Sequence, residues 1–120
     1  MSISQPVYVG TDLNSEKWHE ELINRHNYFV YILECSDQSY YTGITNDITM
    51  RLWEHESGMN KSCYTFERRP VQLKYFELYH DILDAIAREK QLKGWSRNKK
   101  VALFKQDWEK LKQLSKSKSK

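Results

Sequence analysis

The run "YFVYILEC" at positions 28–35 constrains the fold more than any other stretch of the chain. Apolar residues occupy both alternating faces, so a strand there must be covered on both sides. "SDQS" after it is turn-forming, and "YYTGI" follows at once as a second strand. The pair reads as an antiparallel hairpin. Alternation sends Tyr40 and Tyr41 to opposite faces of that hairpin.

The rest of the chain supplies the covering layers. Asn46 or Asp47 caps a helix over about 48–57, and Gly58 ends it. "MNKSCYTFERRP" is a polar, basic loop, and "VQLKYFELY" at 71–79 alternates as a third strand. Its early polar residues Gln72 and Lys74 mark it as an edge. Asp81 caps a second helix that stops near Gly94, and Ser96 caps a third running to about 114, with Val101, Phe104, Trp108 and Leu111 as its apolar stripe. The order predicts an α+β fold, a three-stranded antiparallel sheet flanked by helices. Residues 1–26 read as an N-terminal extension with one short helix in "SEKWHEELINRH", its apolar side being Trp18, Leu22 and Ile23. This extension is either an appendage packed on the domain or a mobile arm. Residues 27–114 form the domain, and "SKSKSK" at 115–120 is expected to be a disordered basic tail.

Composition narrows the class. With 39% apolar and 29% charged residues, the 120-residue chain is globular rather than disordered. No apolar run is long enough to span a bilayer and no signal peptide is evident, so a cytoplasmic protein without membrane contact is expected. Cys35 and Cys63 make no disulfide framework and read as buried or incidental thiols. The net charge is only +3, yet from Arg88 onward Lys and Arg outnumber Asp and Glu by twelve to three. Such a segment is either a footprint for nucleic acid or a solvated helix with a solubilising tail.

One residue breaks the pattern. The second helix has an apolar stripe of Ile82, Ala85, Ile86 and Leu92, and helical spacing sets Glu89 in its middle. A carboxylate there is costly unless it is paired, with Arg51 or another base, or holds a cation. Mg²⁺ often takes only one or two protein carboxylates. On the first helix Arg51 and His55 are four apart and share a face, as a phosphate clamp and proton-transfer group or as a solvated edge.

These residues together resemble the GIY-YIG nuclease superfamily, and most of all its small stand-alone bacterial branch of URI-domain proteins. "YFVYILECSDQSYYTGITNDITMRLWEHESG" resembles the opening hairpin and first helix, and "RRPVQLKYFE" and "AIAREKQLKGWSRNKK" resemble later signatures of that branch. "VYI" stands where the family has GIY, which makes Tyr31 the first motif tyrosine, and "YTG" stands for YIG, giving Tyr41 and Gly43. The first glycine of GIY is absent, since Phe29 and Val30 precede Tyr31. The resemblance implies catalytic roles for Tyr31, Tyr41, Arg51 and His55, and Glu89 as ligand of a single Mg²⁺ or Mn²⁺. Substrate contacts are expected from Gly43, whose missing side chain leaves room for a phosphate backbone, and from Tyr64, Arg69, Asn98, Lys99 and Lys100. Asn98 lies in the region of the family's late asparagine.

The implied activity is metal-dependent endonucleolytic hydrolysis of DNA phosphodiesters, in repair or recombination, with RNA as an alternative substrate. Tyr41 or Tyr31 would be the base, with Arg51 favouring the phenolate and His55 relaying the proton. With one nuclease domain and no sequence-reading module evident, structure selectivity or a protein partner is expected to supply specificity. The competing expectation is a non-catalytic nucleic-acid-binding module that keeps the fold.

Overall fold

The hairpin forms where the sequence places it. In the computed structural model, which describes residues 5–118, the strands are β1 (Tyr8–Gly10), β2 (Tyr28–Glu34), β3 (Tyr40–Thr45) and β4 (Gln72–Tyr79). Val30, Tyr31, Ile32 and Leu33 are all buried, as a strand covered on both sides requires. β2 and β3 are antiparallel, with Tyr31 opposite Gly43 and Leu33 opposite Tyr41. Asp37 closes the turn by accepting from the Ser39 N–H and hydroxyl.

The sheet has four strands rather than the expected three, in the order β1-β4-β2-β3. β1 has only three residues, too few for alternation to register in the sequence, and it pairs with Phe76, Glu77 and Leu78 of β4. β4 is therefore interior rather than an edge. Its polar Gln72 and Lys74 lie beyond the reach of β1, which is why their polarity misled. β3 is the true edge on the side of the functional residues.

Helices α1 (Ile48–Ser57), α2 (Ile82–Lys93), α3 (Arg97–Phe104) and α4 (Trp108–Lys118) complete the fold. Side-chain oxygens of Asp47, Asp81 and Ser96 cap the first three. Gly58 ends α1 at φ 73°, a left-handed turn that glycine adopts without strain. The single third helix expected to about 114 is broken in two. Gln106 takes φ 54°, and Asp107 accepts from the Lys110 N–H to start α4. Trp108, expected in an apolar stripe, is 57% exposed as a result. The tail expected to be disordered continues α4 as far as Lys118, and residues 119–120 lie outside the described residues. No helix among the described residues is long and apolar enough to cross a membrane.

Two cores lie on opposite faces of the sheet. One gathers Phe29, Tyr31, Leu33, Phe76 and Leu78 with Ile48 of α1 and Trp18. The other joins Val30, Ile32, Tyr75 and Tyr79 to Ala85 and Leu92 of α2 and Leu103 of α3. Among the described residues the N-terminal segment packs on the domain, and its Trp18 enters the core. Trp18 meets Phe29 and Phe76 edge-on. Its short helix, Glu16–Glu21, is a 3₁₀ turn, so Leu22 and Ile23 do not share the face of Trp18 and stand exposed. Ile82 likewise falls outside the α2 stripe and is 41% exposed, while Ala85 and Leu92 are fully buried.

Candidate active site

Tyr40 and Tyr41 do face opposite ways. Tyr40 packs on Phe104 in the second core, and Tyr41 lies against Tyr31 and His55 on the first face. One helical turn separates Arg51 from His55, and both point from α1 towards β2 and β3. The loop after α1 folds over them and contributes Cys63, Tyr64 and Thr65. Between these elements lies a cavity of about 200 Å³, lined by Tyr41, Arg51, Glu54 and His55 and by the loop residues Asn60, Cys63 and Thr65. A water occupies about 30 Å³ of liquid, so the space accepts a phosphate with several waters.

The hydrogen bonds form a chain. The Tyr31 hydroxyl lies 2.9 Å from His55 Nε2, and His55 Nδ1 lies 2.8 Å from Thr65 Oγ1. Thr65 Oγ1 in turn donates to Cys63 Sγ at 3.5 Å. Arg51 Nη1 lies 3.5 Å from the Ile44 carbonyl, and its Nε is paired with Glu54 at 3.0 Å. Burial holds His55 below its ordinary value, reinforced by the Arg51 charge, so the imidazole is neutral near pH 7. Burial also raises both phenols, Tyr31 the further of the two. Arg51 pulls each down, the direction expected of a charge that favours the phenolate, and burial outweighs it. Burial alone would raise the Cys63 thiol too, but the hydrogen bond from the Thr65 hydroxyl and the polar hydrogens of Thr65, Tyr41 and Tyr64 around it bring it below its ordinary value.

Glu89 stands on α2, which packs on the second core and touches β3. Its side chain is 15% exposed, and its charge raises the Tyr41 phenol, which places carboxylate and phenol in electrostatic reach. The base that accompanies it is Lys93, at 3.0 Å one turn along α2, and not Arg51. Among the described residues no group of three or more His, Cys, Asp or Glu side chains is placed to hold a metal. A single hard carboxylate has the chemistry of a ligand for a cation that keeps most of its waters.

The remaining expected contacts divide. Tyr64 stacks on Tyr41 with planes 18° apart, its hydroxyl donates to Ser39, and the Arg68 guanidinium lies 3.8 Å over its ring. Arg69 donates to the Phe66 carbonyl and lies against Gly58. Gly43 faces the site, but the space it leaves is filled: a Cβ there would collide with the Tyr31 hydroxyl. It makes room for Tyr31, not for a phosphate backbone. Asn98 is exposed on α3, and Lys99 is buried with Nζ 4.5 Å over the Trp95 ring. Lys100 is half-buried, and burial lowers its amine. None of the three lines the cavity. α3 packs on the Tyr40 face of the sheet.

The sequence reading passed over Thr65 and Cys63, which sit in a loop with no period to betray them. It also passed over Glu77, whose carboxylate is buried on the other face. It accepts from Tyr75, at 2.5 Å, from Tyr79, and from Arg88 at 2.9 Å through Nη2.

A hairpin bearing paired tyrosines, an Arg/His helix and a carboxylate at the sheet edge define a class. The model of the GIY-YIG catalytic domain matches residues 27–102, and the chain belongs to that family, whose domains are in general endonucleases. It is similar to small bacterial proteins named UPF0213. The one from Syntrophus aciditrophicus (strain SB) is 46% identical over 83 residues, which cover 69% of this chain and 95% of that protein. The one from Bacillus pumilus (strain SAFR-032) is 42% identical over 78 residues, 65% of this chain and 79% of the relative. A solution NMR structure of a UPF0213 protein from Bacillus halodurans is 40% identical, covers 64% of this chain and 81% of its own, and superposes with a TM-score of 0.43.

Proposed function

We propose that this protein is a metal-dependent endonuclease that hydrolyses DNA phosphodiester bonds. The observation that carries the reading is the convergence of Tyr41, Arg51 and His55 on one cavity, with Tyr31 hydrogen-bonded behind them and Glu89 within electrostatic reach.

Tyr41 and Arg51 face the cavity and orient a phosphate and the water that attacks it. Arg51 carries the positive charge that a non-bridging oxygen requires. Tyr31 is too deeply buried and too firmly protonated to act as a free phenolate. It acts as one unit with His55: as Tyr31 takes a proton from the water, its own hydrogen passes to Nε2, which is 2.9 Å away. A bare Nε2 is required for that step, and the lowered His55 value keeps the ring neutral at physiological pH. Glu89 would hold the Mg²⁺ or Mn²⁺, which when bound stabilises charge on the phosphate and the leaving oxygen. Lys93 would then have to release Glu89, an exchange within reach of a 57% exposed lysine.

Asn98 and the exposed lysines of α4 offer backbone contacts without base readout, on a different surface from the cavity. A substrate that touches both has to bend around the domain or branch. This favours a structure-selective or partner-directed enzyme acting in DNA repair or recombination in the cytoplasm.

The test is nicking of supercoiled and branched DNA in Mg²⁺ or Mn²⁺ against a chelator, for wild type, Tyr41→Phe and Glu89→Ala. Metal-dependent nicking that both substitutions abolish is expected. Equal cleavage by all three would discard the site. Salt-dependent DNA binding with no cleavage by any would leave a binding module.

A further inference from the structure

The chain of hydrogen bonds continues past His55, and its direction can be worked out from what each group is able to do. Tyr31 is 2% exposed and its hydroxyl has one hydrogen to place, which the Arg51 guanidinium near it, able only to donate, cannot take. The Tyr31 hydrogen therefore needs an acceptor, and the hydrogen-bond partner the structure gives it is His55 Nε2. A hydrogen on Nε2 would make the phenol oxygen the acceptor and leave the phenol's own hydrogen unpaired in a dry place, the arrangement that buried polar groups avoid. So Nε2 is bare, and the ring's single hydrogen is on Nδ1.

At the other side of the ring, Nδ1–H points at Thr65 Oγ1, 2.8 Å away and 1% exposed as a residue. The hydroxyl can accept that hydrogen only if its own goes elsewhere. Cys63 Sγ takes it, at 3.5 Å. The sulfur is itself 3.9 Å from Nδ1, too far to serve the ring as well as the hydroxyl does.

We propose that Thr65 is a positioning residue for His55: it accepts from Nδ1–H and donates to Cys63 Sγ, and so holds Nε2 bare towards Tyr31. The proposal rests on the Tyr31–His55 proton pair described above and extends it by two residues. The groups that face His55 are Tyr31 from β2, Tyr41 from β3, Arg51 and Glu54 from α1, and Cys63 and Thr65 from the loop. Of these, Arg51 opposes a proton on the ring and Glu54 favours one. Thr65 adds no charge and acts through direction alone. When the imidazole gains its second hydrogen, Nδ1–H keeps its acceptor, and the hydroxyl dipole, ending on sulfur, remains aligned to stabilise the cation.

The direct test is the tautomer of His55, read by long-range ¹H–¹⁵N NMR on the full chain at pH 7.5 without DNA or metal. Wild type and Thr65→Ser should show the Nδ1–H form. Thr65→Val removes the acceptor and should lose that preference. Cys63→Ala leaves Thr65 folded but takes the acceptor of its hydrogen, so the hydroxyl turns to donate and the ring shifts to Nε2–H. An Nε2–H ring in wild type, or an unchanged Nδ1–H ring in both Thr65→Val and Cys63→Ala, overturns the proposal. Because the ring is read without substrate, this outcome is independent of whether the protein cuts DNA. In the nicking assay, Thr65→Val should lose activity within the roughly 10²- to 10⁴-fold that a positioned proton acceptor contributes, and Thr65→Ser should restore it.

Discussion

Each face of the sheet buries a polar cluster built on tyrosine hydroxyls, and the two are wired differently. On the α2 face the Glu77 carboxylate is saturated. Two phenols and the Arg88 guanidinium donate to its oxygens, and Trp95 lies beside the guanidinium. The Glu77 carboxylate is closed off from solvent, the residue being 1% exposed. On the α1 face the Tyr31–His55–Thr65 chain borders a cavity, and Tyr41, Arg51 and His55 line it. A closed network fixes a fold, whereas one that keeps a titratable group beside open space can also move a proton. Burial and tyrosine content do not separate the two; the destination of each hydrogen does.

Breaking the closed cluster should produce the largest loss of stability. Glu77→Ala leaves Arg88 and two phenols facing an apolar core, and unfolding in urea should show about 3–5 kcal/mol lost. The residual folded protein should keep its cavity and its metal-dependent nicking. On the open face, Gly43→Ala sharpens the comparison, because its new methyl group would meet the Tyr31 hydroxyl. Overpacking of that kind costs about 1–3 kcal/mol, and nicking should fall further than stability does because Tyr31 is pushed off His55. The smallest effect is on pH. His55 has a folded value below its unfolded 6.5, so the neutral form's contribution to stability is complete above pH 6.5. It is lost as pH falls from there through the folded value. Thermal melts between pH 7.5 and 5 should show the decline, and His55→Gln should flatten it. The acid limb of nicking should lie below pH 6.5 for the same reason.

Much of the open face was legible in the sequence because it rests on periodicity. Alternation separated Tyr40 from Tyr41, helical spacing joined Arg51 to His55, and a carboxylate in an apolar stripe drew attention to Glu89. The resemblance then gave these residues their roles. What escaped had no period. Thr65 and Cys63 lie in a loop whose fold over α1 is tertiary, and β1 is three residues long. Glu77 sits in an alternating strand whose pattern does not mark its carboxylate as buried, because the phenols and guanidinium that satisfy it are brought there by the fold. Gly43 was read correctly as a place where a side chain is missing, but the group that fills the space comes from the neighbouring strand, a register fact that no single strand contains.

The central claim is that only one of the two tyrosine clusters does chemistry, and a matched pair of substitutions tests it most directly. Tyr31→Phe and Tyr75→Phe each delete one buried hydroxyl that donates to a single acceptor, at a similar cost of about 1–3 kcal/mol. Single-turnover nicking of supercoiled DNA in Mg²⁺, at a temperature where both variants are folded, should fall by roughly 10²- to 10⁴-fold for Tyr31→Phe and remain near wild type for Tyr75→Phe. Equal rates for the two variants, whether both lowered or both intact, would contradict the account.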